Sequence, residues 1–321
     1  MTSLKEKYKD YFKVGAAVSK RTVKSHAQVI AEQFNSITCE NEMKYSSIAP
    51  EEERFNFGIA DDIMEFARDN QMAVRGHTFV WHNQTPEWVF RDADRNQLLQ
   101  RIRNHMIALG GRYNKEVFAW DVVNEAIEDK ADEVLRRSKW FEILGESFMD
   151  DIFLMAKEIL PDKELYYNDY NETNPIKRQK IYNTIKNMRE RGIPVDGIGM
   201  QCHHNIYEPS ADELKRAIEL YAELGVKLHI TEMDVSLFEF NDHGSIAGPT
   251  AELIEKQASV YEKSFKIFRE YKEHIDCVTI WGVADDATWL DHFPARNRKN
   301  WPLLFDEEHN PKEAFYRIME F

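Results

Sequence analysis

The chain has 321 residues, of which 56 are acidic and 42 basic, so its formal net charge is −14. A surface this acidic repels nucleic acid and anionic membranes, and the longest apolar stretches, 117–120 and 278–281, are far too short to span a bilayer. We therefore expect a soluble protein that binds neither nucleic acid nor membranes and whose ligand is neutral or cationic.

The N-terminus and the cysteines both favour a cytoplasmic location. Residues 1–10 are charged and are followed by neither an apolar segment nor a small-residue cleavage site, so we expect no secretory signal. The cysteines Cys39, Cys202 and Cys277 are odd in number and lie in apolar runs, which indicates buried small hydrophobic side chains. Because no linker, low-complexity tract or internal repeat is present, we expect residues 1–321 to form one domain.

Eight short apolar runs, rich in β-branched and aromatic residues, have the composition of buried β-strands. In chain order they are 11–19, 36–43, 73–81, 117–125, 164–168, 197–203, 227–234 and 277–283. Six segments between them carry apolar residues on one face at helical spacing. These helical segments are 59–67, 98–109, 148–159, 181–188, 214–221 and 260–268.

This alternation of strands and helices predicts an α/β protein whose parallel sheet is covered by helices. Eight strand–helix units close a (β/α)8 barrel, or TIM barrel, which is the fold we expect. An open doubly wound sheet is the alternative, but residues 14–18 of the first strand lack a glycine-rich phosphate loop. The longest expected loops, 236–250 and 284–302, follow the last two strands on the face where barrel active sites form.

Two glutamates interrupt apolar runs where strands end. Glu125 ends the fourth predicted strand and Glu232 lies near the end of the seventh, so the two flank the expected barrel mouth. Glycoside hydrolysis needs one carboxylic acid to protonate the leaving oxygen and one carboxylate to attack the anomeric carbon or activate water. The alternative, that each glutamate only pairs with a neighbouring lysine or arginine, accounts for one glutamate more readily than for both. The pair therefore predicts a glycosidase.

Six motifs between the second strand and the last loop carry a resemblance to a known family. They are Glu40-Asn41-Glu42-Met43-Lys44, Arg75-Gly76-His77-Thr78-Phe79-Val80-Trp81-His82, Trp120-Asp121-Val122-Val123-Asn124-Glu125, Tyr167-Asn168-Asp169-Tyr170-Asn171, Ile230-Thr231-Glu232-Met233-Asp234 and Pro302-Leu303-Leu304-Phe305-Asp306. As a set they resemble glycoside hydrolase family 10, the endo-β-1,4-xylanases, although the Asn-Glu dipeptide alone is shared with cellulases and β-galactosidases. The resemblance implies a (β/α)8 barrel that cleaves xylan and xylo-oligosaccharides with retention.

The same resemblance implies a role for each carboxylate and its neighbours. Glu125 is expected to be the general acid/base and Glu232 the nucleophile. The charge of Glu232 would raise the pKa of Glu125 until Glu232 is esterified. His203 resembles the histidine that hydrogen-bonds the nucleophile. Asp234 is expected to orient that histidine, since a regular strand aims residues 232 and 234 to one side, and Asp121 is the alternative.

Asn124 is expected to bind the 2-hydroxyl of the sugar at the cleavage point. A regular strand would point Asn124 and Glu125 to opposite faces, so the strand must bend or end here. Seven further positions match family residues that hold the non-reducing side of the substrate: Glu40, Asn41, Lys44, His77, Trp81, Gln84 and Gln201. Trp281 and Trp289 match the tryptophans that close over the sugar near the cleavage point, and Tyr170 is expected on the aglycone side.

Three other functions remain as alternatives. His77 with His82, or His203 with His204, would suit a metal hydrolase, but neither pair belongs to a recognisable ligand set, so we expect no metal or other cofactor. A non-catalytic sugar-binding barrel would not need both Glu125 and Glu232. A cellulase is the third alternative, because glucose differs from xylose only by a hydroxymethyl group that the site would have to accept. We expect an intracellular enzyme, monomeric or homodimeric, that trims imported xylo-oligosaccharides.

Overall fold

The structure, a computed structural model, describes residues 2–321. Its parallel strands close into a barrel in which β10 pairs with both β9 and β1. The strands are β1 (Lys13–Val18), β2 (Ser36–Cys39), β3 (Ala73–Gly76), β4 (Val80–Trp81), β5 (Val117–Asn124), β6 (Glu164–Asp169), β7 (Gly197–Met200), β8 (His203–Asn205), β9 (Lys227–Ser236) and β10 (Ile275–Ile280). The predicted (β/α)8 barrel is confirmed, and the open doubly wound sheet is excluded.

Two of the eight predicted strands are each divided in two. The third is broken at residues 77–79, so that β4 continues beyond β3 by pairing with β5. The sixth is broken at Gln201 and Cys202, and β8 then pairs with β9. The second predicted strand is also too long, because β2 ends at Cys39 and leaves residues 40–44 in the loop beyond it. Each of these departures lies where a strand reaches the barrel mouth.

Helices cover the outside of the barrel. All six predicted helical segments are present, within α5 (Gly58–Asp69), α6 (Arg95–Arg112), α8 (Phe148–Ile159), α9 (Pro175–Glu190), α10 (Ala211–Ala222) and α11 (Ala251–Glu270). The sequence did not predict the shorter helices, which are α1 (Leu4–Lys7), α2 (Thr22–Ser25), α3 (Ala27–Gln33), α4 (Tyr45–Ile48), α7 (Lys139–Leu144) and α12 (Glu313–Met319). Of α3, only Ile30 is buried, so its apolar stripe is too narrow to read from the sequence.

Glycines let large aromatic side chains pack against the strands. A Cβ atom on Gly197 would lie 2.1 Å from the ring of Tyr166, and one on Gly76 would lie 2.2 Å from the ring of Trp120. Tyr166 and Trp120 are fully buried. Because protein interiors are packed as densely as organic crystals, each ring fits in its place only while the residue beside it is glycine.

The two ends of the chain meet beneath the barrel wall. The hydroxyl of Tyr8 donates a hydrogen bond to the carbonyl oxygen of Ile318 in α12, and both residues are fully buried. The three cysteines are buried and form no disulfide. Within residues 2–321, every helix is too short or too polar to cross a bilayer.

Candidate active site

The backbone at the end of β5 turns two consecutive side chains towards one another. Glu125 follows the last residue of β5 and has a φ of 56°, in the left-handed region, so the alternation of the strand stops there. The Nδ2 atom of Asn124 donates a hydrogen bond of 3.3 Å to Oε1 of Glu125. The strand therefore ends where the sequence required it to end, and both side chains lie in one site.

A chain of amide side chains connects Glu125 to Glu232. Gln201 Nε2 donates to Glu125 Oε1 at 3.0 Å and lies 3.4 Å from Asn124 Oδ1. Asn168, which is fully buried in β6, donates to Asn124 Oδ1 at 2.9 Å and to Glu232 Oε1 at 2.8 Å. The structure thus brings the two predicted carboxylates into one hydrogen-bonded network.

Asn168 has no role predicted from the sequence, although it lies in one of the six family motifs. Its amide oxygen accepts a hydrogen bond of 2.7 Å from the hydroxyl of Thr231, next to Glu232. The signal available in the sequence was an asparagine inside an apolar strand. A buried amide must be hydrogen-bonded, and its partners here are 44 to 64 residues away in the chain.

His203 lies between two carboxylates of β9. Its Nε2 atom is 3.4 Å from Glu232 Oε2 and its Nδ1 atom is 3.1 Å from Asp234 Oδ2. Burial alone would lower the pKa of His203, but the charges of Asp234 and Glu232 raise that pKa to about 10. The imidazole is therefore a cation at neutral pH and neutralises part of the charge of both carboxylates.

The surroundings shift the pKa values of the two glutamates in opposite directions. Burial raises the pKa of Glu125, and the negative charges of Asp169 and Glu232 raise it further, against hydrogen bonds from Gln201 and Trp81. Burial would also raise the pKa of Glu232, but the hydrogen bond from His203 and the electrostatic effect of His77 lower it below its ordinary value. Glu125 is therefore the carboxyl group that keeps its proton more readily, and Glu232 the one that loses it more readily.

Asp121, the alternative partner for His203, occupies a different place. It is fully buried, forms a bidentate ion pair with Arg75, and lies 2.8 Å from Nδ1 of His77. Burial would raise the pKa of Asp121, but Arg75 and His77 lower it. Asp121 therefore orients His77, and Asp234 is the carboxylate beside His203.

The loops after β2 and β4 supply a polar wall beside the carboxylates. Lys44 Nζ donates to Asn41 Oδ1 at 3.1 Å and lies 4.7 Å from the ring centre of Trp81. Gln84 Nε2 donates to the same oxygen of Asn41 at 3.2 Å. Burial lowers the pKa of Lys44 despite the nearby charges of Glu232 and other glutamates. Burial raises the pKa of Glu40 in the same wall.

Three tryptophan rings lie beside the carboxylates and their partners. Trp81 Nε1 donates to Glu125 Oε2 at 2.7 Å. Trp281 is buried, and the edge of its ring system meets His77 at a centroid distance of 5.6 Å. Trp289 Nε1 donates to Asp234 Oδ2 at 2.8 Å and its ring lies 4.8 Å from that of His203. Flat apolar faces beside polar groups suit a sugar ring.

Tyr170 belongs to a charged network on the far side of Glu125. Its hydroxyl donates to Asp129 and accepts from Arg136 at 2.8 Å, while Lys177 Nζ lies 3.5 Å from the centre of its ring. Lys177 is buried and pairs with Asp169 at 2.9 Å. Sequence reasoning assigned Tyr170 to the aglycone side but missed Lys177 and Asp169, whose pairing depends on α9 packing beside β6.

Three groups of histidine, cysteine and acidic side chains within residues 2–321 bring their donor atoms within 4.8 Å of one another. None of these groups contains Glu125 or Glu232. The pair His77 and His82 is in none of them, and of the pair His203 and His204 only His204 is, together with Glu172 and Cys202. The site chemistry described above therefore rests on the carboxylates and their hydrogen-bond partners.

The chain matches known proteins over its full length. The model of glycosyl hydrolase family 10 matches residues 3–321. The endo-1,4-β-xylanase B of Paenibacillus barcinonensis is 50% identical over 99% of this chain and 97% of its own length, and the endo-1,4-β-xylanase of Geobacillus stearothermophilus is 50% identical over 99% and 98%. The crystal structure of an endo-1,4-β-xylanase from Caldicellulosiruptor owensensis is 49% identical, covers 100% of both chains and has a TM-score of 0.98.

Proposed function

The chain belongs to glycosyl hydrolase family 10, and on that premise we propose that it is an endo-β-1,4-xylanase in which Glu125 and Glu232 perform a retaining double displacement. Its substrates are xylan and xylo-oligosaccharides. The assignment of roles rests on the opposite shifts of the two pKa values within one hydrogen-bonded site, since the pKa of Glu125 is raised and that of Glu232 is lowered.

In the first step Glu125 donates its proton to the glycosidic oxygen while Glu232 attacks the anomeric carbon. The bond between that carbon and the leaving oxygen breaks, and a covalent ester of Glu232 forms. The contact of Glu232 with His203 and Asn168 fixes the direction from which its carboxylate attacks. Asn124 binds the 2-hydroxyl of the same sugar, a contact that strengthens in the transition state.

In the second step Glu125 acts as a base. Once Glu232 is esterified its negative charge is gone, so one of the causes of the raised pKa of Glu125 is removed. Glu125 then takes a proton from a water molecule, whose oxygen attacks the anomeric carbon and releases Glu232. Two inversions give retention of configuration.

The test of the roles is labelling with a 2-fluoro xylobioside that carries a good leaving group. The fluorine slows hydrolysis of the ester, so the expected result is one label per chain, on the peptide that contains Glu232. A label on any other residue would overturn the mechanism. The Glu65→Gln variant, altered at an exposed glutamate of α5, is the control and should be labelled at the rate of the unaltered enzyme.

The test of the substrate is a comparison of initial rates on xylan and on carboxymethylcellulose at equal mass concentration. The expected result is clearly faster cleavage of xylan. Faster cleavage of carboxymethylcellulose would instead identify a cellulase, because the two sugars differ by one hydroxymethyl group that the site must then accommodate.

A further inference from the structure

Two histidines and one aspartate converge near the seam where the barrel closes. His26 lies between α2 and α3, Asp286 follows β10, and His309 lies in the turn before α12. Asp286 Oδ1 is 2.7 Å from Nε2 of His26 and 3.5 Å from Nε2 of His309. The two imidazole rings are 4.1 Å apart, at an angle of 33°.

His26 lies between two polar partners. Its Nδ1 atom is 2.6 Å from the hydroxyl oxygen of Ser25, which also lies 3.1 Å from the carbonyl oxygen of Arg21. Its Nε2 atom is 2.7 Å from Oδ1 of Asp286. The contact with Ser25 fixes the orientation of the ring, so Nε2 of His26 and Oδ1 of Asp286 are held beside each other as potential metal ligands.

The geometry suits a metal ion bound by Nε2 of both histidines and by Oδ1 of Asp286. Bonds of roughly 2.0–2.1 Å from zinc to nitrogen or oxygen, at angles between 90° and 109°, place neighbouring donor atoms roughly 2.8–3.4 Å apart. The two distances from Asp286 Oδ1, 2.7 and 3.5 Å, lie close to that range. The second oxygen of Asp286 is held at 3.0 Å by Arg21, so Oδ1 is the oxygen that faces the two histidines.

The exposure of the proposed ligands and the rigidity of the turn that carries His309 both suit metal binding. His26 is buried, while the side chains of Asp286 and His309 are 26% and 27% exposed, so an ion can enter from solvent and keep water ligands. The turn that presents His309 is fixed by Asp306, whose carboxylate accepts from the backbone N–H groups of Glu308 and Asn310 at 3.0 and 2.8 Å. A rigid turn lowers the entropic cost of binding.

We propose that His26, Asp286 and His309 bind one divalent transition-metal ion, and that zinc is the best match for two imidazoles and a carboxylate. The ion joins the first strand–helix unit to the loop after β10, which also carries Trp289. Its role is structural, because none of its three ligands is among the groups assigned to the hydrolysis.

The test uses the full chain without a histidine tag, stripped of metal by a chelator and titrated with zinc by calorimetry. The expected result is one saturable site per chain and a rise in melting temperature with zinc. His309→Asn, which tolerates the left-handed φ of 68° at this position but supplies a poor zinc ligand, should weaken binding by roughly tenfold or more and abolish the rise. His243→Gln, at an exposed histidine elsewhere, is the control and should bind as the unaltered chain does.

Copper(II) provides an independent test of the ligand set. Its paramagnetic resonance spectrum should show coupling to two nitrogens in the unaltered chain and to one in His309→Asn. Zinc binding that is unsaturable, or that is equal in the unaltered chain and in His309→Asn, would overturn the proposal. A copper spectrum without two coupled nitrogens would do the same.

Discussion

Asn124 and Glu125 are consecutive in the chain, and the amide of Asn124 donates a hydrogen bond to the carboxyl group of Glu125 at 3.3 Å. In the proposed reaction the two side chains act on adjacent carbons of one sugar, since Glu125 protonates the oxygen on C1 and Asn124 binds the hydroxyl on C2. The left-handed φ of Glu125 makes this possible, because an extended residue there would aim the carboxyl group away from Asn124.

The first prediction concerns Glu125→Gln, which keeps the size of the side chain but removes its acidic proton and one of its two acceptor oxygens. Its rate on xylan should fall by roughly 10²- to 10⁴-fold, the usual contribution of a general acid/base. With a dinitrophenyl xylobioside the first step needs no acid, so a burst of dinitrophenol followed by slow turnover is expected. Added azide, which needs no base, should restore turnover. A steady rate without a burst would contradict the assignment.

The second prediction concerns the acid limb of the pH profile. His203→Gln removes the cation that lowers the pKa of Glu232, so that pKa should rise. The acid limb of kcat/KM, which reports protonation of the nucleophile in the free enzyme, should therefore move to higher pH. The test is to measure the pH profile of kcat/KM for the unaltered enzyme, for His203→Gln and for His243→Gln, a control at an exposed histidine. An unmoved acid limb in His203→Gln would show that His203 does not tune the nucleophile.

The third prediction concerns stability. The pKa of His203 is raised to about 10 in the folded protein, above the value of about 6.5 of an unfolded chain. Its contribution to the free energy of unfolding is therefore fully present below pH 6.5 and is lost as pH rises towards 10. Urea unfolding of the unaltered chain and of His203→Gln should show a difference that shrinks over this range. A difference that grows with pH would mean that His203 is buried uncharged.

The fourth prediction concerns Asp169, whose charge is a cause of the raised pKa of Glu125. Asp169→Asn keeps the size of the side chain and removes that charge, while Lys177 retains its ion pair with Asp129 at 3.0 Å. The pKa of Glu125 should fall, and the alkaline limb of kcat/KM should move to lower pH. If Asp169 had a merely structural role, Asp169→Asn would lower kcat/KM without moving this limb. The full pH profile distinguishes the two outcomes, and circular dichroism checks that the variant is folded.

The fifth prediction concerns packing against the barrel strands. Gly197→Ala places a methyl group 2.1 Å from the ring of Tyr166, so it should lower the free energy of unfolding by about 1–3 kcal/mol. Gly111→Ala, in α6, meets no atom within 4 Å and should raise it by up to about 1 kcal/mol, because alanine favours a helix. Urea unfolding measures both, and equal effects would show that the space beside Tyr166 is not filled.

The fold was predictable because each strand is a continuous apolar run and each long helix has a clear apolar stripe. The breaks at residues 77–79 and 201–202 were not, because strand-like residues continue on both sides of each break. Cys202 has a φ of 54°, which no sequence rule assigns to a cysteine. The apolar pattern of the sequence therefore predicts that a strand is present, whereas the residue at which it ends depends on contacts with other strands at the barrel mouth.

The site was predictable where a residue stood out from its strand or matched a role implied by the family resemblance. Glu125 and Glu232 stood out as charges in apolar strands, but the pair of Asp169 and Lys177 did not, since a lysine in α9 reads as a solvated residue. The expected cytoplasmic location, the single domain and the monomeric or dimeric state remain predictions.

The pairing of β1 with β10 has a consequence for the nascent chain. During synthesis on the ribosome, β1 is made long before residues 275–280. Until β10 is available one edge of β1 has no partner, and unpaired strand edges invite association with other chains. Pairing across more than 250 residues is also slow to form. The open edge of β1 is therefore a point at which an incompletely synthesised chain is prone to associate with other chains.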